Sequence, residues 1–180
     1  MKNKKNFNNL LSIFVRYLIL IITGIQNFWL FYLLFTPLTI YVVYFFLHIF
    51  YENTLLIGNV ILVNSIPIEI IEACVAGSAY YLMLILNLSI ADLKIKKRLL
   101  LLLFSFSSFF LVNVIRILFS SYLLVSGATW FDFAHRLFWY AGSIVFVVGI
   151  WFLGIKIFKI KEIPFHTDIK FLFSLIKKKS

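Results

Sequence analysis

Three residues in separate apolar stretches carry side chains that could perform chemistry together: Cys74, Arg116 and His135. A cysteine thiolate attacks carbonyl carbon atoms and forms a covalent acyl intermediate. A fixed cation stabilises the oxyanion that this attack creates, and an imidazole can give and take protons near neutral pH. Acyl transfer needs these three functions, so the residue types indicate a cysteine-dependent acyl-transfer site.

Each of the three residues also has a purely structural interpretation. A lone cysteine in an apolar helix is often a small buried hydrophobe. An arginine near a helix end can reach the lipid headgroups, and a histidine can belong to an interfacial aromatic belt. A common depth favours the catalytic interpretation: counted at about 1.5 Å per residue from the nearest basic cluster, each residue lies roughly 27–32 Å away, at the outer interface.

Three neighbouring polar residues could support such a site. Asn113 lies three residues before Arg116, on the same face of a helix. Asp132 lies three residues before His135 and could orient or charge its imidazole. Glu72 could pair with Arg116, although a solvated loop carboxylate is the commoner outcome.

The sequence predicts neither a metal site nor a cofactor. His48 and His166 have no cysteine or carboxylate at metal-ligand spacing. There is also no glycine-rich phosphate loop.

The composition identifies the surroundings of the three residues as a membrane. Of the 180 residues, 63% are hydrophobic and only 13% are charged, whereas a soluble domain is about 45–50% apolar and about 25% charged. The net charge of +10 would suggest nucleic acid in a soluble protein. Here the lysines and arginines form short runs between apolar stretches, which is typical of membrane topology, so no nucleic-acid partner is predicted.

Four stretches are long enough to cross a membrane, which takes about 20 residues; they are Phe14–Phe35, Ala73–Ala91, Leu99–Val125 and Ala134–Ile155. Leu38–Phe50 is shorter and follows Pro37, so it is predicted as an interfacial or re-entrant helix. Basic clusters favour the cytoplasmic side. The sequence therefore predicts a multi-pass protein of the cell membrane, with both termini in the cytoplasm and the three reactive residues at the outer face.

The predicted fold class is an all-α integral membrane protein with about four transmembrane helices, the interfacial helix and a short outer hairpin-like loop. The loop is inferred from Gly58-Asn59, which stands between β-branched runs. Arg16 fits an anchor at the inner interface. Residues 1–180 are predicted to form a single polytopic domain, with a core over 16–155 and an amphipathic basic tail over 164–180 on the inner leaflet.

At the three reactive positions the sequence resembles the archaeosortase/exosortase family. The matching pieces are Glu72-Ala-Cys-Val-Ala-Gly77, Asn113-Val-Ile-Arg116 and Phe133-Ala-His135, in the order that the family has them. The small size and the run Cys-Val-Ala-Gly-Ser-Ala-Tyr-Tyr are most similar to the short archaeal pacearchaeosortases. The resemblance covers roughly Arg16 to Ile155.

The resemblance implies a transpeptidase acting on secreted proteins whose C-terminal tail consists of a motif, one transmembrane helix and a basic end. Cys74 would form the acyl-thioester, Arg116 would donate a proton, and His135 would stabilise the transition state or act as acid or base. The acceptor would be a membrane lipid. Two features depart from the family: Val75-Ala76-Gly77 replaces the usual Ser/Thr-Gly after the cysteine, and fewer spans are predicted than exosortases have.

Two other functions remain open at this point. One is an intramembrane protease that hydrolyses its substrate without transfer. The other is a non-catalytic membrane assembly or transport subunit, which would need paired polar groups near the middle of the bilayer. The substrate's recognition motif, the acceptor and the oligomeric state do not follow from the sequence.

Overall fold

Helices form most of the protein, in a computed structural model that describes residues 2–25, 27–91, 93–138, 142–160 and 168–169, with side chains from residue 9 onward. Along the described chain the elements are α1 (Lys2–Ile25), α2 (Trp29–Phe50), β1 (Thr54–Ile57), β2 (Val60–Val63), β3 (Ile66–Glu69), α3 (Glu72–Val75), α4 (Gly77–Leu88), α5 (Ile95–Val125), α6 (Phe131–Leu137) and α7 (Ser143–Ile157). Two of the described helices, α2 and α5, are long and apolar enough to cross a membrane.

The helix boundary near the N-terminus differs from the prediction. The prediction of a separate interfacial or re-entrant helix over Leu38–Phe50 is wrong, because α2 continues through Pro37 without a break. Proline removes one backbone hydrogen bond, a loss that packed apolar helices tolerate. The chain turns instead at Asn27 and Phe28, whose φ angles of 48° and 61° are left-handed. The predicted span Phe14–Phe35 is therefore divided between α1 and α2.

The predicted stretch Ala134–Ile155 is helical wherever it is described, in α6 and α7, and residues 139–141 between these helices lie outside the described residues. The long helix α5 is confirmed and includes the predicted stretch Leu99–Val125.

Between α2 and α3 the chain forms a three-stranded antiparallel sheet in the order β1-β2-β3. The predicted hairpin is confirmed: Ile57 pairs with Val60 across a turn in which Gly58 has a φ of 64°. A second turn leads into β3, where Val63 pairs with Ile66. The all-α prediction is thus corrected, because the segment between α2 and α3 contains a sheet and not a hairpin alone.

Tyr80 of α4 lies at the centre of the packed core and is completely buried. Its ring stacks on Phe35 of α2 at a centroid distance of 3.9 Å and meets Phe109 of α5 at right angles, 4.9 Å away. Phe106 of α5 also packs edge-on against Tyr80. These rings hold α2, α4 and α5 together directly beside the segment that carries Cys74.

A buried charged cluster lies at the C-terminal end of α4. Arg16 is only 7% exposed, so the predicted interfacial anchor is wrong. Its guanidinium donates to the carbonyl oxygens of Leu88 and Ile90 and forms an ion pair with Asp168 at 2.7 Å. Arg98 donates to the same two carbonyls. Because the last carbonyls of a helix have no partner within it, the two guanidinium groups complete the end of α4.

Asp168 and Ile169 are the described residues of the predicted tail 164–180. The rest of the tail lies outside the described residues, as do the lysines at its end.

Candidate active site

Cys74 lies in the single helical turn α3, between the sheet and α4. Its carbonyl precedes a sharp reversal at Ala76, whose φ of 59° is left-handed and separates α3 from α4. The sequence predicted Cys74 at the start of one long helix, where the helix dipole would favour a thiolate. Cys74 does lie in the first turn of the apolar helical segment Glu72–Leu88, but the left-handed Ala76 interrupts this segment, so the long helix α4 begins only at Gly77. The half-buried thiol is the one cysteine of the chain.

Gly77 brings this segment close to α2. A Cβ atom at position 77 would lie 2.7 Å from Cζ of Tyr32, a distance that real side chains do not adopt. A glycine is therefore required for Tyr32 to pack against the beginning of α4.

Two side chains of α5 hold the backbone of Cys74 in place. Asn113 is 2% exposed and donates from Nδ2 to the Cys74 carbonyl oxygen at 2.9 Å. Arg116 donates from Nη2 to the same oxygen at 3.1 Å and from Nη1 to Oγ of Ser143 at 3.3 Å. The predicted pairing of Asn113 and Arg116 on one helix face is thereby confirmed. It fixes a cation at the backbone carbonyl oxygen of the cysteine.

Cys74, Arg116 and His135 line a single cavity of about 150 Å³. They come from α3, α5 and α6, which are separated in sequence by up to sixty residues. His135 stacks on Phe131 with ring centroids 5.5 Å apart. The remaining wall is mostly apolar and comes from Ile117, Ser120 and Leu124 of α5, from Phe138 directly after α6, and from the segment Pro67–Ile70.

The other predicted residues lie around this cavity in different ways. Asp132 is exposed in the first turn of α6. Glu72 begins α3 and lines a second, larger cavity of about 700 Å³, together with Tyr32, Ser78 and Ser143. Arg116 lines both cavities. It therefore stands between the cavity of the cysteine and the cavity of the glutamate.

Two contributors to the site were not predicted from the sequence. Ser143 begins α7 in an apolar context and is recognised only through its contact with Arg116. The segment Pro67–Ile70 lines the cysteine cavity. The presence of Pro67 in a short apolar run concealed the strand, although proline is compatible with an edge strand.

Within the described residues there is no group of three or more His, Cys, Asp or Glu side chains arranged to hold a metal ion. Comparison of the chain with protein-family models, with curated proteins and with solved structures gives no match.

Proposed function

We propose that this protein is a membrane-embedded cysteine transpeptidase of the archaeosortase/exosortase type. It cleaves the C-terminal sorting tail of a secreted protein through an acyl-thioester and transfers the protein to a membrane lipid. The observation that carries the proposal is the shared cavity, because three distant segments contribute a thiol, a guanidinium and an imidazole to one small space. A purely structural thiol would not need the other two groups beside it.

In the first step the Cys74 thiolate attacks the carbonyl carbon of the scissile peptide bond. The tetrahedral intermediate collapses as the C–N bond breaks, and the amine of the tail leaves with a proton. In the second step an acceptor hydroxyl or amine of the lipid attacks the thioester and loses its proton. The new bond forms as the C–S bond breaks, which restores the thiolate.

Arg116 and His135 divide the remaining work according to their chemistry. A guanidinium remains charged under ordinary conditions and offers several donors in a fixed plane, which suits it to stabilising an oxyanion. An imidazole exchanges protons readily near neutral pH, which suits it to protonating the leaving amine. This division reverses the proton-donor role that the family resemblance gives to Arg116.

The second cavity supports transfer over simple hydrolysis. A transpeptidase must admit two substrates, the tail-bearing protein and the acceptor. Arg116 borders both the cysteine cavity and the Glu72 cavity, so in this proposal the acceptor binds in the Glu72 cavity, separately from the tail-bearing protein. Asn113 would keep the Cys74 backbone fixed during both steps.

The proposal includes a topology. About four membrane crossings place the basic clusters and both termini in the cytoplasm, and the cavity at the outer face, where secreted substrates are found. The apolar helices α2 and α5, together with the shorter apolar stretches in α1, α3–α4 and α7, support a multi-pass arrangement. We count α1 and α2 as one crossing, because Arg16 of α1 lies beside Arg98 at the start of α5 and Phe35 of α2 packs further along it, against Phe106.

The deciding experiment measures the mass of the substrate's new C-terminus. The protein would be co-expressed with a tail-bearing secreted protein, as wild type and as Cys74→Ala. We expect processing only by the wild type, with a product heavier by the mass of a lipid. A free carboxylic acid would instead identify a hydrolytic protease, and equal processing by both proteins would reject Cys74 as the nucleophile.

A matched pair of variants separates catalysis from packing in α6. His135→Ala removes the imidazole from the cavity, whereas Arg136→Ala changes the neighbouring exposed residue. We expect His135→Ala to slow processing about 10²-fold or more and Arg136→Ala to stay within about twofold of the wild type. Equal losses in the two variants would assign His135 a structural role only.

A further inference from the structure

The cysteine cavity faces the edge of the sheet and not one of its two faces. Its lining includes the consecutive residues Pro67, Ile68, Glu69 and Ile70. Side chains of a strand point alternately to opposite faces, so a cavity over one face would contact every second residue. An unbroken run is the pattern expected where a cavity opens along the strand's outer edge.

That edge carries backbone groups without partners in the sheet. β3 is the last strand of the described sheet, and Ile70 donates its N–H toward β2, to the carbonyl of Asn59 at 2.9 Å. Neighbouring residues in a strand direct their N–H and C=O groups to opposite sides. The N–H and C=O of Glu69 and the C=O of Pro67 therefore point away from β2, toward the cavity.

Pro67 stands at a position that suits this geometry. Its missing N–H would have pointed away from β2, so the proline removes no hydrogen bond from the sheet. An open strand edge beside apolar surroundings is unfavourable unless something pairs with it. The unpaired backbone groups at the edge of β3 are therefore suited to hydrogen-bonding with a ligand in extended conformation.

We propose that the recognition segment of the tail-bearing substrate binds in extended form on β3 and becomes the fourth strand of the sheet. This inference rests on the proposed function and specifies how the same site holds its substrate. The paired strand runs beside the cavity that contains Cys74. The register of the pairing therefore fixes the position of the scissile carbonyl relative to the thiol. Main-chain pairing supplies affinity, and alternate side chains of the substrate supply specificity.

The face of β3 that carries Pro67 and Glu69 is exposed, whereas Ile68 on the opposite face is buried. Glu69 accepts a hydrogen bond from Nδ2 of Asn59 at 3.1 Å, which orients its carboxylate on the exposed face. Substrate side chains on that face would contact Glu69. A cysteine introduced at position 69 should therefore form disulfides with every second residue of a substrate strand paired with β3.

Disulfide capture tests the pairing without requiring catalysis. The Cys74→Ala/Glu69→Cys protein has one thiol, because Cys74 is the natural chain's one cysteine. The probe is a secreted protein with a randomised segment, an apolar helix of about 20 residues and a lysine-rich end. One cysteine occupies each position of the segment in turn, and copper phenanthroline serves as the oxidant.

We expect capture to alternate along the segment, with about fivefold differences between neighbouring positions. Cys74→Ala/Leu55→Cys is the matched control, because Leu55 is an exposed residue of β1 on the opposite edge of the sheet. This control should show no alternation. Uniform capture, capture at no position, or a disulfide-linked dimer of the Glu69→Cys protein would overturn the pairing with a substrate strand.

A second measurement isolates the outward N–H of Glu69. Glu69→Ala removes the carboxylate and keeps the N–H, whereas Glu69→Pro removes both and leaves the bonds to β2 intact. In the chain that retains Cys74, we expect Glu69→Pro to process the tail-bearing protein about five- to tenfold more slowly than Glu69→Ala. Equal rates would argue that no substrate group pairs with this N–H.

The two proposals fail in different ways. Alternating capture without processing by the wild type would retain strand pairing on β3 and reject the transpeptidase function. Processing by the wild type with uniform capture would retain the transpeptidase and reject the pairing.

Discussion

At the scale of single residues, the carbonyl of Cys74 is the point to which the polar groups of α5 converge. Asn113 and Arg116 both donate to it, and Arg116 is held at its other nitrogen by Ser143. The guanidinium is therefore fixed in two directions before any substrate arrives. Such preorganisation makes an electrostatic contribution effective, because no reorganisation is needed during the reaction.

Arg116→Lys tests this fixed geometry. Lysine keeps the charge but cannot donate along two fixed directions to Cys74 and Ser143 at once. We expect tail processing to slow about 10²-fold, and Ser143→Ala, which removes one 3.3 Å contact, to slow it about tenfold or less. Rates would be compared at equal amounts of folded protein in the membrane. An Arg116→Lys rate within about twofold of the wild type would contradict the proposed role of the guanidinium.

Ala76 is strained, because a left-handed conformation costs a residue with a Cβ about 1–2 kcal/mol, and its φ is 59°. Ala76→Gly should therefore raise the free energy of unfolding by about 0.5–1 kcal/mol. Ala79→Gly is the matched control within α4, and it should lower that free energy by about 1 kcal/mol or more. Unfolding in mixed detergent micelles would measure both, and equal destabilisation would contradict the strain at Ala76.

The residue types of the site were predictable, and their environment was not. Cys74, Arg116 and His135 stand out because reactive side chains are rare in apolar stretches. Ser143 did not stand out, because a serine in an apolar helix is common and its role depends on a contact made 27 positions away along the chain. The left-handed conformation of Ala76 was also hidden, since glycine and asparagine are the residues expected at such a position and alanine favours a helix.

At the scale of helices and strands, the local sequence predicted whether an element is a helix or a strand better than it predicted where that element begins and ends. α5 was predicted because its apolar run is long and contains no proline or glycine. α2 was misjudged, because Pro37 is a breaker in water but a tolerated residue in an apolar helix packed by its neighbours. β3 was missed for the related reason that Pro67 lowers strand propensity except at an edge.

The ion pair between Arg16 and Asp168 connects α1 to a segment near the C-terminus, across the end of α4. Asp168→Asn leaves the buried guanidinium without its counter-charge, so we expect a loss of about 3 kcal/mol in the free energy of unfolding. Arg16→Met/Asp168→Leu removes both charges, and Arg98 still donates to the Leu88 and Ile90 carbonyls. The double variant should lose less than Asp168→Asn in detergent unfolding; a larger loss would contradict this account.

At the scale of the whole molecule, the proposed function requires a topology in which a secreted substrate can reach the cavity. In the Cys74→Ala background, single cysteines would be placed at Leu55 in β1 and at Lys96 near the start of α5, both exposed. We expect a membrane-impermeant maleimide to label Leu55→Cys in intact cells and Lys96→Cys only after permeabilisation. Labelling of both in intact cells would contradict the proposed topology.

The helix α5 has 31 residues and, at about 1.5 Å per residue, measures roughly 46 Å, more than the hydrocarbon thickness of about 30 Å. Arg98 near its beginning is tied to the end of α4, and Arg116 lies roughly 27 Å further along the same axis. In the proposed topology, α5 therefore sets the height of the Cys74 thiol above the inner leaflet. In reconstituted bilayers, tail processing should be fastest where acyl-chain length matches this height. In thicker bilayers it should decline, as hydrocarbon covers the cavity and the open strand edge and excludes the substrate from both.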